Sequence, residues 1–476
     1  MKRREFMKLA LRGLVLGCAS HNSALALEAD TSDIGSLFSS ENEEILALAE
    51  RVLKKCVLEK IRSPVEPLDH NWVYAGGYYR GQWLWDTMFV VDLLSILPGK
   101  RQLIRDIFQN YWDFQDRWND RAPDYAHGMI TVAIKTFPQA VRQFSQIPIL
   151  AWGVERVYKR NHDKELLTQS LTRLEQFHEW FWRERDVTNT GLIAPGSYSG
   201  KTQHARWETF DYECCMDNLK LTPHPTRKRP HKSAWYGNIC IVGNTAYLIM
   251  AEKSLVRLAE IMDDKDMAQR RRRRIEKAVH AMRDHMWDEG AGTFMAVHRD
   301  TLEKIPVATI SSWMPLIAGV PTRSMATRMA QTLRTPAWQT PLPVPTVDRT
   351  DKRFRSSGFW RGDVWPPTNY QIASGLARYG QKSLAADIAD KTVGNALKHG
   401  VYEHYDSLSG KGLGVKDYCM SATLITMMLD GLTQKYNLNL RSPNISRIEG
   451  QYCYNNSRNK NLALILHGPA GTQGVL

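Results

Sequence analysis

Four short segments of this 476-residue chain set carboxylates beside flat aromatic rings. In "GQWLWDTMFVVDLL", Asp86 follows Trp83 and Trp85 at the start of an apolar run. A carboxylate flanked by indoles can bind the hydroxyls of a sugar while a ring covers its apolar face. The same aspartate also suits the first turn of a helix, where the macrodipole favours an anion. In "DYECCMDNLK", Asp217 and Asn218 follow Cys214, Cys215 and Met216. Such apolar neighbours raise a carboxyl pKa, although Asp-Asn on its own also reads as a turn. In "GFWRGDVWPPTNY", Trp360, Arg361 and Trp365 crowd one turn before another apolar run, with Asp363 between them. Arginine stays charged and forks onto an acid or several hydroxyls, and Asp363 is the acid expected to pair with Arg361. In "VYEHYDSLSGKGLGVKDY", Glu403 lies between Tyr402 and Tyr405, and Tyr405 is expected to line the same site. The glycine-rich end of that segment matches no phosphate-loop pattern and reads as a flexible turn. Two isolated carboxyls, Asp217 and Glu403, with tryptophan walls and an arginine, are what glycoside hydrolysis requires: two carboxyl groups in contrasting environments across a sugar.

These residues come from distant parts of the chain, so the elements between them must bring them together. Helical periodicity dominates and strand-like alternation is scarce. Nearly all-apolar segments begin near Met88, Ile147, Ile239, Ser311, Val364 and Tyr418. One-sided charged helices accompany them at Arg101, Glu165, Ala251, Thr322 and Gln381, and Glu41–Lys60 supplies another. In "SQIPILAWGVERVYKR", Pro148 suits a first turn, with Ile147, Leu150, Val154 and Val157 on one stripe and Arg156 and Lys159 opposite. A helix apolar all round is buried, and an amphipathic one covers it. The pattern predicts an all-α domain over residues 38–437, an (α/α)6 toroid of six inner and six outer helices. Long loops, from Asp186 to about Lys232 and from Pro336 to Phe359, place function at one end of the ring. The polar segment 438–476 reads as a poorly ordered tail.

Lys and Arg number 63 against 50 Asp and Glu, a formal charge of +13. Part of that excess is local, in Arg270–Arg274 and in "RKRPHK" from Arg227 to Lys232. Acids flank the arginine block, so it reads as a solvated helix face. No nucleic-acid-binding signature accompanies it, and no nucleic-acid partner is expected. The start "MKRREFMKLALRGLVLGCASHNSALALEA" has a basic end, a modest apolar run and a small-residue cleavage site at Ala24–Ala26. Residues 1–26 therefore read as an export signal of twin-arginine type, implying a periplasmic or secreted protein. "VLGC", ending at Cys18, offers a lipoprotein alternative. No membrane span is expected. The six remaining cysteines show neither CxxC nor disulfide-framework spacing, so one or two disulfides at most are expected. With no HExxH and no Cys/His cluster of ligand spacing, neither a metal nor a cofactor is expected. Cys214 and Cys215 read as bystanders packed beside a proton donor.

The ordered succession WD–F, Gln-x-Pro, MDN, WRG-x-W and YE-x-YD-x-x-[ST]-G, from about Tyr78 to Leu432, resembles glycoside hydrolase family 63. The likeness is to its bacterial branch related to mannosylglycerate and glucosylglycerate hydrolases. The resemblance implies the six-hairpin toroid and inverting hydrolysis of a small α-linked glucoside or mannoside. It implies Asp217 as general acid and Glu403 as general base. It implies substrate contacts at Trp85, Asp86, Gln146, Trp360, Arg361, Gly362 and Trp365; Trp83 and Asp363, beside them in the same segments, are expected to line the pocket too. Two departures stand out. The family's Ser-Gly before the acid is Cys214-Cys215 and its following Ser-Pro-Arg is missing, and Asp363 occupies a position where Pro is the rule. Alternatives of other kinds are a trehalase-like hydrolase or lyase on the same toroid, and a sugar-binding toroid without catalysis.

Overall fold

The computed structural model describes residues 37–120, 126–134, 145–195, 228–231, 234–236 and 239–441. Asp217, residues 1–26, Cys214, Cys215, Cys453 and most of the expected tail lie outside the described residues. Twelve α-helices fall among the described residues. They are α1 (Glu43–Val52), α2 (Leu84–Leu94), α3 (Arg101–Asn119), α4 (Leu150–Asn161), α5 (Lys164–Arg185) and α6 (Val242–Ile261). There follow α7 (Lys265–Ala281), α8 (Pro315–Ala318), α9 (Arg323–Leu333), α10 (Pro366–Arg378), α11 (Lys382–His399) and α12 (Thr423–Leu429).

The even-numbered helices pack in cyclic order: α2 on α4, α4 on α6, α6 on α8, α8 on α10, and α10 on α12. The turn Cys419–Ala422 that leads into α12 packs back on α2. Odd-numbered helices cover them, with α5 on α4, α7 on α6 and α11 on α10. The sequence explains the division. Every residue of α2 is buried, from Leu84 to Leu94, whereas α1 buries only Ile45, Leu48, Ala49 and Val52. The two sets also start differently. Four covering helices carry their own polar caps: Asn42, Asp163, Asp264 and Thr322 accept from first-turn amides of α1, α5, α7 and α9. The inner helices α2, α6 and α10 begin after Trp83, Ile241 and Trp365, which cap nothing. Orphan amides at their starts are met by side chains from other segments. Trp85 N–H donates to Gln146 Oε1 at 2.8 Å and Gly243 N–H to Ser311 Oγ at 2.5 Å.

Several expectations need correction. Ala251 lies inside α6; the helix that covers α6 is α7, which holds the arginine block. Arg271 of that block is 1% exposed, bound to Glu175 and Glu179 of α5 and to Glu252 of α6, because it sits in the seam between helices. Arg270, Arg272 and Arg274 pair at the rim with Glu175, Glu260 and Glu179, closer to the solvated face expected. α4 begins two residues after Pro148, and Arg156, expected opposite the apolar stripe, is buried against Asp92 and Asp430. Asn439–Leu440 pairs with Phe38–Ser39, joining the two ends of the domain. Cys56, Cys240 and Cys419 are buried free thiols. No helix among the described residues is long and apolar enough to cross a membrane.

Candidate active site

The start of α2 supplies the first carboxylate. Strand β1 (Gln82–Trp83) pairs with β2 (Ala133–Ile134) and leads straight into the helix. Asp86 falls in the first turn, so the helix-start reading and the site reading both apply to it. It is 3% exposed, and Tyr418 donates its hydroxyl to Asp86 Oδ1. Burial pushes its pKa up to about 6, offset by the Tyr418 hydroxyl, a backbone amide and Gln146. Gln146 therefore joins the amide of Trp85 to the Asp86 carboxylate across two segments of the chain.

The second carboxylate stands on a β-hairpin. β3 (Tyr402–Tyr405) and β4 (Gly412–Lys416) pair antiparallel, with an irregularity between Tyr402 and His404. Of the stretch 409–414 read as a flexible turn, Gly412–Gly414 belong to strand β4, and the first half connects the two strands. Gly414 sits at φ +69°, and a Cβ there would crowd both Glu403 Oε2 and His404 Nε2. The positive φ and the close approach both call for glycine. Glu403 is 1% exposed. Its Oε1 accepts from Tyr79 Oη at 2.7 Å and its Oε2 from Val415 N–H at 2.9 Å. Burial raises its pKa; Tyr79, the charge of His404 and the Val415 amide pull it back toward the carboxylate. Tyr79 and Tyr418 stand with ring centroids 5.3 Å apart, so two tyrosines carry the contact from Asp86 to Glu403.

The segment before α10 builds the aromatic wall. Trp360 and Trp365 stack at 4.2 Å with planes 7° apart, and Trp365 stacks on the His404 ring at 4.6 Å. Trp85 approaches Trp360 at 6.4 Å, and Trp83 meets Tyr79 edge-on at 5.5 Å. Val364 and Tyr405 exchange backbone hydrogen bonds at 2.9 Å, which locks this wall to the Glu403 hairpin. Gly362 lies where a Cβ would overlap the Arg355 carbonyl, and its N–H donates to Thr346 Oγ1 at 2.8 Å. Trp85 Nε1, Trp365 Nε1 and Arg361 Nε are buried donors with no hydrogen-bond partner among the described residues. Buried donors are rarely left unmatched.

Two residues behave differently from expectation. Asp363 does not pair with Arg361. It is fully buried, with Oδ2 at 2.6 Å from His404 Nδ1. That is an ion-pair distance at an angle that falls short of hydrogen-bond geometry. The hairpin brings His404 in from a distant part of the chain to face Asp363. Tyr405 is also fully buried, and its hydroxyl is taken by Gly400 O at 2.9 Å and Tyr402 N at 3.1 Å. It supports the hairpin from behind and presents no free polar atom. The structure thus gathers Trp83, Trp85, Asp86, Gln146, Trp360, Trp365 and Glu403 into one neighbourhood. Sequence reasoning missed Tyr79, Tyr418, His404 and Gly414. The "YY" of Tyr78–Tyr79 just before the WLWD segment was the one visible signal.

Residues 78–421 match the mannosylglycerate hydrolase MGH1-like glycoside hydrolase domain. A mannosylglycerate hydrolase of Thermus thermophilus is 25% identical over 74% of this chain and 95% of its own length. A mannosylglycerate hydrolase of Selaginella moellendorffii is 24% identical over 71% of this chain and 78% of its own. The crystal structure of the Thermus thermophilus GH63 mannosylglycerate hydrolase in complex with glucose aligns with TM-score 0.59 and 24% identity, covering 74% of this chain and 94% of that one. The neutral trehalase of Saccharomyces cerevisiae aligns with TM-score 0.54 and 15% identity, covering 77% of this chain and 76% of that one. The fold is that of the GH63 and trehalase-like six-hairpin glycosidases. The match spans most of the chain and encloses both halves of the site, so this chain belongs to the mannosylglycerate hydrolase MGH1-like glycoside hydrolase family.

Proposed function

We propose that this glycoside hydrolase cleaves a small α-linked mannoside or glucoside with inversion, on an (α/α)6 toroid whose site lies at one end of the ring. The cyclic packing of the even-numbered helices supports the toroid. One observation carries the catalytic reading: Glu403 is a buried carboxylate held by two fixed donors, Tyr79 and the Val415 amide. A carboxylate made more basic by burial, yet anchored in place, suits a general base that takes a proton from water. Asp217, in its apolar segment, is the acid that protonates the glycosidic oxygen. Inversion sets the two carboxyl groups about 6.5–9.5 Å apart, leaving room for the water. Asp86 and Arg361 bind sugar hydroxyls, and the Trp360 ring covers the sugar face. Cys214-Cys215 before the acid departs from the Ser-Gly expected there, so the aglycone is read from the substrate panel and not carried over as glycerate. Residues 1–26 act as an export signal.

The test is a panel of α-mannosides and α-glucosides, mannosylglycerate among them. Release of free mannose or glucose from at least one, lost in Glu403→Gln, is the expected result. Tight binding of an α-glycoside with no sugar released would make the protein a binding toroid.

A further inference from the structure

Asp363 is a fully buried acid in the turn that leads into α10, and its partner is the residue that follows Glu403. Its Oδ2 lies 2.6 Å from His404 Nδ1, and the carboxyl is fully buried. The imidazole is fixed on both sides: it stacks on Trp365 at 4.6 Å and takes the edge of Phe359 at 5.3 Å. With Nδ1 turned to Asp363, Nε2 faces the hairpin. The point where a Cβ on Gly414 would stand is under 3.0 Å from both His404 Nε2 and Glu403 Oε2. The far edge of the imidazole and the carboxylate are therefore no more than twice that distance apart, beside Gly414.

From this alignment we infer that Asp363 and His404 are positioning residues for Glu403: the buried aspartate orients the imidazole and holds positive charge on it, against the carboxylate that activates water. The inference rests on Glu403 being the base. An unpaired cation in such a buried, aromatic setting would be unstable; the aspartate compensates it. A cation near Glu403 offsets the burial that favours its protonated form. The dyad thereby resolves a conflict, since burial makes Glu403 a stronger base but would also leave it protonated and unable to act. Other titratable groups facing this region are Tyr79, Asp86, Tyr418 and Cys419. Of these, Asp86 titrates near 6, and as a sugar-binding group it enters KM. The pH limb of interest is therefore read in kcat.

Asp363→Asn and His404→Gln keep the shapes and remove the charges. With the substrate identified by the panel, both variants are expected to shift the acid limb of kcat to higher pH. Activity at the foot of that limb should fall about tenfold for every whole pH step the limb moves, with KM and the alkaline limb unchanged. His404→Gln with a wild-type acid limb, or Asp363→Asn with a limb moved to lower pH, overturns the assignment. In the second case the imidazole would keep its charge without the aspartate. Circular dichroism and the unfolding midpoint identify which variant is folded. If neither folds, the pair is structural and the inference fails. Glu403→Gln is the control that separates the two readings. If it retains activity, the base assignment fails. If it is inactive while both dyad variants keep the wild-type profile, only the dyad fails.

Discussion

Asp86 and Asp92 stand on the same helix, about two turns apart, and are 3% and 1% exposed. One is pushed up to about 6; the other is held below the usual carboxylate range. Burial is common to both, so partners decide. Asp92 takes a two-pronged contact from Arg156, at 2.9 Å on each oxygen, and a third bond from Arg160 at 3.0 Å. Arg156 also reaches Asp430, which Tyr370 bonds at 2.9 Å. This knot joins α2, α4, α10 and the residue that follows α12. Asp86 is given only a tyrosine hydroxyl, an amide side chain and the helix start. A fully paired carboxylate stabilises the fold and can do little else. A carboxylate surrounded by neutral donors is poised to bind a hydroxyl or exchange a proton.

The comparison can be broken from either end. Glu403 resembles Asp86 in that its hydrogen-bond donors, Tyr79 and the Val415 amide, are neutral. Glu403→Gln should lower kcat about 10³-fold with helical content and midpoint unchanged, as measured by steady-state kinetics and circular dichroism. At the paired end, Asp92→Asn leaves Arg156 and Arg160 short of a charge. It should lower unfolding free energy by about 3 kcal/mol in urea, with kcat per folded molecule retained. The native carboxylate of Asp92 contributes stability above its unfolded value of 3.8, and loses that contribution as pH falls below it. Asp86 has the opposite sign. Its raised pKa favours folding below about 3.8, and that contribution is lost as pH rises through about 6. Asp86→Asn should therefore raise stability by about 2 kcal/mol at pH 7 and have little effect at pH 4, while raising KM. The smallest effect is expected for Tyr79→Phe, which removes one of two donors to Glu403. It should lower kcat about tenfold and move the acid limb upward, in a pH–rate profile.

The contrast between Asp86 and Asp92 could not be read from the sequence, where both are acids in one apolar run. What was legible is what depends on local pattern. The all-round apolar stretch at Met88 and the one-sided helix at Arg101 appear as α2 and α3. WLWD, WRGDVW and YEHYD fall at junctions that lead into inner helices or onto the hairpin that faces them. What was not legible depends on distant partners. The start of the helix covering α6 was placed at Ala251 because α6 continues its apolar pattern for 20 residues before the turn. The SGKGLG stretch was read as a flexible turn because glycines and charges obscure strand β4, which is held by pairing with β3 and by the Val415 amide on Glu403. Asp363 was assigned to Arg361 by proximity along the chain, yet its partner is His404 on that hairpin. Tyr79 carries no motif of its own; only the fold brings it to Glu403.

The account centres on a water activated by Glu403 on the face of the sugar opposite the departing oxygen. Proton NMR of the first minutes of hydrolysis of an α-mannoside or α-glucoside tests this directly, because the anomeric signal records which face was attacked. The β anomer should appear first and then mutarotate to the mixture. Initial release of the α anomer would show retention and contradict the general-base role of Glu403.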